Sequence, residues 1–218
     1  QYARDIVAGR WHLNGEPIIL SSCGKLNNGQ HRCHAVIRTG KNIPALFVFG
    51  VSHESRLTTD QGKQKTAGDY LAMGGVLNAN SLAAIAGAVL QYEQLGRMAL
   101  GGTERPNKSE VRERVVSDPN IERSYKAVYK KGATKVATVK VLGVAHYIFS
   151  RVDEESADRF MTSLISGAEL RERDPIHVAR EKLIDPFHRL NINEQLKTMF
   201  MAWNNWRAGK TVRSLTHS

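Results

Sequence analysis

Leu26-Asn27-Asn28-Gly29-Gln30-His31-Arg32-Cys33-His34-Ala35 sets an Asn-Asn-Gly turn directly before a helix whose first residues include Gln30, His31, Arg32 and His34. The first N–H groups of a helix lack intrahelical partners and carry a partial positive charge. An arginine and two imidazoles added there suit an anion, above all a phosphate. Gly29 can take a positive φ and lets a ligand approach the main chain. Arg32 has the fork geometry to grip two phosphate oxygens. His31 and His34 can donate hydrogen bonds or move a proton near neutral pH. Asn28, Gly29, Gln30, Arg32 and His34 are therefore candidate phosphate- or nucleotide-binding residues. The bland alternative is an ordinary turn followed by a polar helix start.

The flanking sequence supplies an α/β frame. Tyr2 to Ala8 is amphipathic and stops at Gly9, a usual helix terminator. Pro17 to Leu20 reads as a short strand, closed by the turn residues 21–25, and Leu26 leads into the Asn-Asn-Gly turn. The helix from about Gln30 to Arg38 ends at Gly40, and the apolar run 43–51 reads as a buried strand. Two strands about one short helix make a β-α-β unit with the Gly29 loop at a strand exit, where α/β sheets tend to hold ligands. Thr58 to Thr66 is a second polar loop. Lys65 and Thr66, beside a helix start, are further candidate phosphate contacts or else parts of a solvated, well-capped loop. Thr66-Ala67-Gly68-Asp69 is a capping-box variant with Asp at its last position.

Beyond residue 75 strands disappear. Helices are expected over 80–95, from Ser109, from Asp118-Pro119, from Asp153 to near Gly167, from Asp174-Pro175, and from Asn193 to about Ala208. Residues 138–152 are apolar and read as helix or strand. The fold class is thus α+β, with a small mixed α/β domain over 1–75 and an all-helical domain over 76–218.

Hydrophobic residues make up 41% of the 218, enough for a packed core, and the net charge is +10. Such a surplus attracts nucleic acid, nucleotides or anionic surfaces. The densest basic stretch, 123–152, has seven Lys and Arg and no acid. Arg123, Lys126, Lys130, Lys131 and Lys135 are its candidate nucleic-acid contacts, with Tyr125 and Tyr129 interleaved to stack on bases. A solvated basic face is the alternative. Trp203 and Trp206, three apart, share one helix face and read as core. No apolar run reaches the roughly 18 residues of a membrane span, and no signal peptide is visible. A cytoplasmic protein without a membrane partner is expected. Gln1 lies inside a helix-like pattern, so residues upstream of it are expected as well. Cys23 and Cys33 form no CxxC and read as reduced thiols, and no metal site is expected.

Gly29-Gln30-His31-Arg32-Cys33-His34-Ala35 resembles the Gly-x-x-Arg-x-x-Ala signature of the ParB/sulfiredoxin superfamily. Residues 2–71 resemble the ParB-like proteins of bacteriophages and mobile elements. That likeness rests on Gly9-Arg10-Trp11, Asn14-Gly15-Glu16-Pro17-Ile18, Gly29 to Arg32, and Thr59-Asp60-Gln61-Gly62 with Lys65-Thr66. Trp203-Asn204-Asn205-Trp206-Arg207-Ala208-Gly209-Lys210 resembles the same group. The resemblance implies a ParB/sulfiredoxin-like N-terminal domain in a DNA-associated protein of a host cytoplasm. Such a protein would hold a nucleotide or nucleic-acid phosphate at Gly29 to His34, while the basic helical domain contacts DNA. Gln30 stands where sulfiredoxins resemble Gly-Cys-His-Arg, so their cysteine chemistry is not expected. Gln30 and His31 also replace the Glu and first Arg of the Gly-Glu-Arg-Arg loop with which segregation ParB proteins bind a cytidine nucleotide, which puts hydrolysis in question. Two other functions stay open. One is a nucleotide-dependent phosphotransferase or nuclease, with catalytic His31, Glu16 and Asp60 and a nucleoside triphosphate with Mg²⁺ as cofactor. The other is a phage protein-interaction module exposing an apolar patch.

Overall fold

Among 218 residues, the computed structural model describes 1–58, 65–96, 100–101, 105–186 and 189–216. The chain divides into two compact units, Gln1–Gln64 and Lys65–Ser218.

In the first unit the expected β-α-β frame carries an extra strand. The elements run α1 (Tyr2–Val7), β1 (Ile18–Ser21), β2 (Leu26–Asn28), α2 (Gln30–Thr39), β3 (Phe47–Val51) and a 3₁₀ turn (His53–Thr58). The sheet order is β2-β1-β3. β1 pairs with β2 as an antiparallel hairpin and with β3 in parallel, Ile18 opposite Phe47 and Leu20 opposite Phe49. Three residues, two of them Asn, are too few and too polar to announce β2 by periodicity. Tertiary bonds fix it instead. Asn27 Nδ2 donates to the Ser52 carbonyl at 2.9 Å, and Asn27 Oδ1 lies 2.7 Å from the His53 ring Nδ1.

β3 corrects the reading of 43–51 as buried. Phe47 and Phe49 are 51% and 70% exposed, and their rings stack at 6.0 Å. Both lie on one face of an edge strand. An apolar run reports strand propensity, not the presence of a layer to cover it. Between α2 and β3 lies an open apolar cleft of about 400 Å³, whose lining includes Ile18, Val36, Ile37 and Phe47.

The second unit has helices and no strand among its described residues. It comprises α3 (Ala67–Met73), α4 (Ala79–Leu95), α5 (Lys108–Ser117), α6 (Pro119–Val128), α7 (Ala133–Val136), α8 (Val139–Ser150), α9 (Glu154–Ser166), α10 (Pro175–Ile184) and α11 (Ile192–Arg207). Asp118, Asp153 and Asp174 cap α6, α9 and α10 through side-chain oxygens, two of them ahead of a proline at the first helical position. α4 starts one residue before the expected 80, and two further starts differ as well. Asn107 and Asn191 are the N-caps of α5 and α11, because Glu110 and Glu194 stand three residues on and complete capping boxes. The ambiguous stretch 138–152 is helix. α8 packs against α4, α6, α9 and α11, so its Val-rich sequence reflects burial on nearly every side rather than strand pairing. Gly143 permits the α4 approach, since a Cβ there would sit 2.5 Å from Ile85 Cδ1. α3 packs on α4 and α5 and belongs to the second unit. No helix among the described residues is long and apolar enough to cross a membrane.

Candidate functional site

The Gly29 loop is built by a backbone constraint. Gly29 has φ 103° and N-caps α2, and a Cβ on it would meet Ile18 Cγ1 at 2.9 Å and Ile18 Cα at 3.1 Å. Left-handed backbone and contact with β1 both require glycine there. α2 starts with no side-chain cap and no acid in its first turn. Gln30, His31 and His34 are exposed, and Asn28 is half-buried.

Arg32 points the other way. It is 6% exposed, its Nη2 donates to the Pro17 carbonyl at 2.8 Å, and its Nη1 donates to the Glu16 carbonyl. The guanidinium clamps the approach to β1 onto α2. Those two carbonyls occupy one N–H on each Nη and fix the direction of the fork. Glu16 has an exposed side chain while its carbonyl is held in this clamp. Asp60 lies outside the described residues. Lys65 and Thr66 belong to the second unit, where both are exposed. Thr66 Oγ1 accepts from the Asp69 N–H at 3.1 Å and donates to Asp69 Oδ2 at 2.9 Å, as a helix cap does. Among the described residues no three His, Cys, Asp or Glu come together to hold a metal ion.

The basic stretch divides along α6. On the helix itself each cation meets an acid, and for Arg123 those acids are distant in sequence. Arg123 pairs with Glu154 and, at 3.3 Å, with Asp158, both on α9. Lys126 pairs with Glu122 one turn back, at 2.6 Å. At the far end the charge persists. Lys130 Nζ donates to Thr162 Oγ1 at 3.1 Å, and Lys130, Lys131 and Lys135 are all exposed. The two tyrosines separate as well: Tyr125 is 5% exposed and Tyr129 is 65% exposed. Burial takes Tyr125 out of reach of bases, which corrects the expectation that both stack on them.

One constellation has no local signal in sequence. His146 on α8 is fully buried, with Ser124 Oγ 3.0 Å from its Nδ1 and Asp158 Oδ1 2.9 Å from its Nε2. The three residue types are those of acyl-transfer triads, but Ser124 is 1% exposed and no substrate reaches it. The group ties α6, α8 and α9 together. Burial lowers the His146 pKa below its ordinary value, against the pull of Asp158. The unfolded chain therefore binds a proton near pH 6.5 that the folded chain takes up only at lower pH. Stability is level on this account above about pH 6.5. It falls as pH drops toward the folded value, by up to about 1.4 kcal/mol per pH unit. Urea denaturation from pH 8 to 5 should show that slope in the wild type and its loss in His146→Gln. Parallel curves for the two proteins would refute it.

Compared with protein-family models, curated proteins and solved structures, the chain matches none.

Proposed function

We propose that the protein binds nucleic acid through phosphate contacts at the end of α6 and the start of α7. The observation that carries this reading is the contrast between the paired cations of α6 and the lysines that follow it. Arg123 and Lys126 are answered by Glu154, Asp158 and Glu122, while Lys130, Lys131 and Lys135 stay exposed within six residues of one another. Such contacts position a backbone and are largely blind to sequence. The net charge of +10 adds long-range attraction. A ParB-like role on DNA fits this reading and draws further support from the signature at Gly29 to Ala35.

A second reading concerns the loop itself. The uncapped, acid-free start of α2 favours a phosphate of a nucleotide or nucleic acid, held by main-chain N–H groups with His31 and His34 beside them. In that arrangement Arg32 shapes the loop from behind.

Fluorescence anisotropy of the full chain with labelled DNA over a salt series tests the first reading. Affinity should fall linearly in log–log form as salt rises. Lys130→Glu with Lys131→Glu should flatten the slope by about two. Arg123→Ala should leave the slope unchanged. Absence of binding at low salt, or a slope indifferent to the lysines, would overturn the proposal.

A further inference from the structure

Tyr129 stands where α6 ends. It is the C-cap residue, with φ −77° and ψ 76°, so the chain leaves the helix at this ring. The ring is 65% exposed. What holds it is Tyr125, one turn back. The two rings lie 5.0 Å apart between centroids and 20° from parallel, and Tyr125 is itself 5% exposed in the core of the helical unit. One face of Tyr129 is therefore backed by a fixed aromatic ring while much of its surface stays open to solvent. Around it in sequence stand Lys126, Lys130 and Lys131, with Lys135 on the short helix α7, all exposed. Gly132, with φ 91°, turns the chain between the lysine pair and α7.

A braced aromatic ring set among cations is what a single nucleic-acid strand uses. Its bases are free to stack and its phosphates need counter-charge. Duplex DNA offers the phosphates, but its bases are already stacked on one another. We infer that this site takes single-stranded nucleic acid, one base stacking on Tyr129 while Lys130, Lys131 and Lys135 contact the flanking phosphates. The inference rests on the nucleic-acid reading above and names the class of strand that this surface receives.

The test compares a labelled 20-nucleotide oligodeoxythymidine with a duplex of the same length, by anisotropy on the full chain. Variants are Tyr129→Ala, Tyr129→Phe and the Lys130→Glu/Lys131→Glu pair. The wild type should prefer the single strand. Tyr129→Ala should weaken single-strand binding about ten-fold, Tyr129→Phe should restore it, and duplex binding should be unmoved by either. Photocrosslinking with a 5-iodouracil strand, mapped by mass spectrometry, should mark Tyr129 and so reports on the native chain without any substitution. If Tyr129→Ala leaves single-strand binding intact while the lysine reversals abolish it, stacking at Tyr129 is overturned and the phosphate-binding reading stands. If neither strand form binds the wild type at low salt, both fall together.

Discussion

Arg32→Ala is expected to destabilise the first unit by about 3 kcal/mol, from the loss of two hydrogen bonds donated by a charged group. The guanidinium joins the carbonyls of Glu16 and Pro17 to α2. Truncation removes both bonds and leaves a void beneath a side chain that is 6% exposed. Water can reach the Glu16 side, since that residue is exposed, so part of the loss is recovered. Lysine is a poor substitute, because one ammonium cannot present two donors in a planar fork. Arg32→Lys should therefore lose about half as much. Hydrogen exchange on the full chain, followed peptide by peptide, separates this from a binding role. Amides over 18–28 should exchange faster in Arg32→Ala with no ligand added. Unchanged exchange there, together with weakened binding of a nucleotide or of inorganic phosphate, would make Arg32 a ligand group instead.

How much of this was legible in sequence follows the range of each interaction. Helix starts were legible where a single cap residue stands out close to its partner, as at Asp118, Asp153 and Thr66. They were misplaced at Asn107 and Asn191, where a second polar residue nearby competes for the same role. Glycine at 29 was legible as special, and the structure adds the close contact with Ile18. The β2 strand was not legible, since pairing across a turn and two bonds from Asn27 create it. The direction of Arg32 was also hidden. A basic residue in the first turn of a helix suits an anion or a nearby carbonyl equally well, and only the placement of residues 16 and 17 decides between them. The same limit applies to the basic stretch. An acid-free run of thirty residues is a fact about one dimension, and α9 brings Glu154 and Asp158 to it in three.

Phe149→Ala should cost the helical unit about 4 kcal/mol, at the large end for one substitution, because the ring joins several helices at once. Phe149 of α8 is 1% exposed and stacks on Trp203 of α11 at 4.5 Å and 4°. It meets Phe160 of α9 edge-on at 5.5 Å and Phe200 of α11 at 4.9 Å. Removing it leaves a cavity whose walls are rigid rings held by other contacts, since Phe160 also meets Trp203 and Trp206. Such a site collapses poorly, and poor collapse sets the upper range of the cost. Trp206 is only half-buried at the margin of the same cluster, so Trp206→Ala should cost clearly less. Urea denaturation of the full chain, followed by far-ultraviolet circular dichroism, measures both. A loss under about 1 kcal/mol in Phe149→Ala would mean that neighbouring rings close the gap, against this account of packing. The result also bears on function. If the tryptophan pair is core, Trp206→Ala should leave nucleic-acid affinity unchanged at temperatures where the chain is folded. Tyr129→Ala should do the reverse, lowering single-strand affinity with little loss of stability, because its ring is mostly exposed.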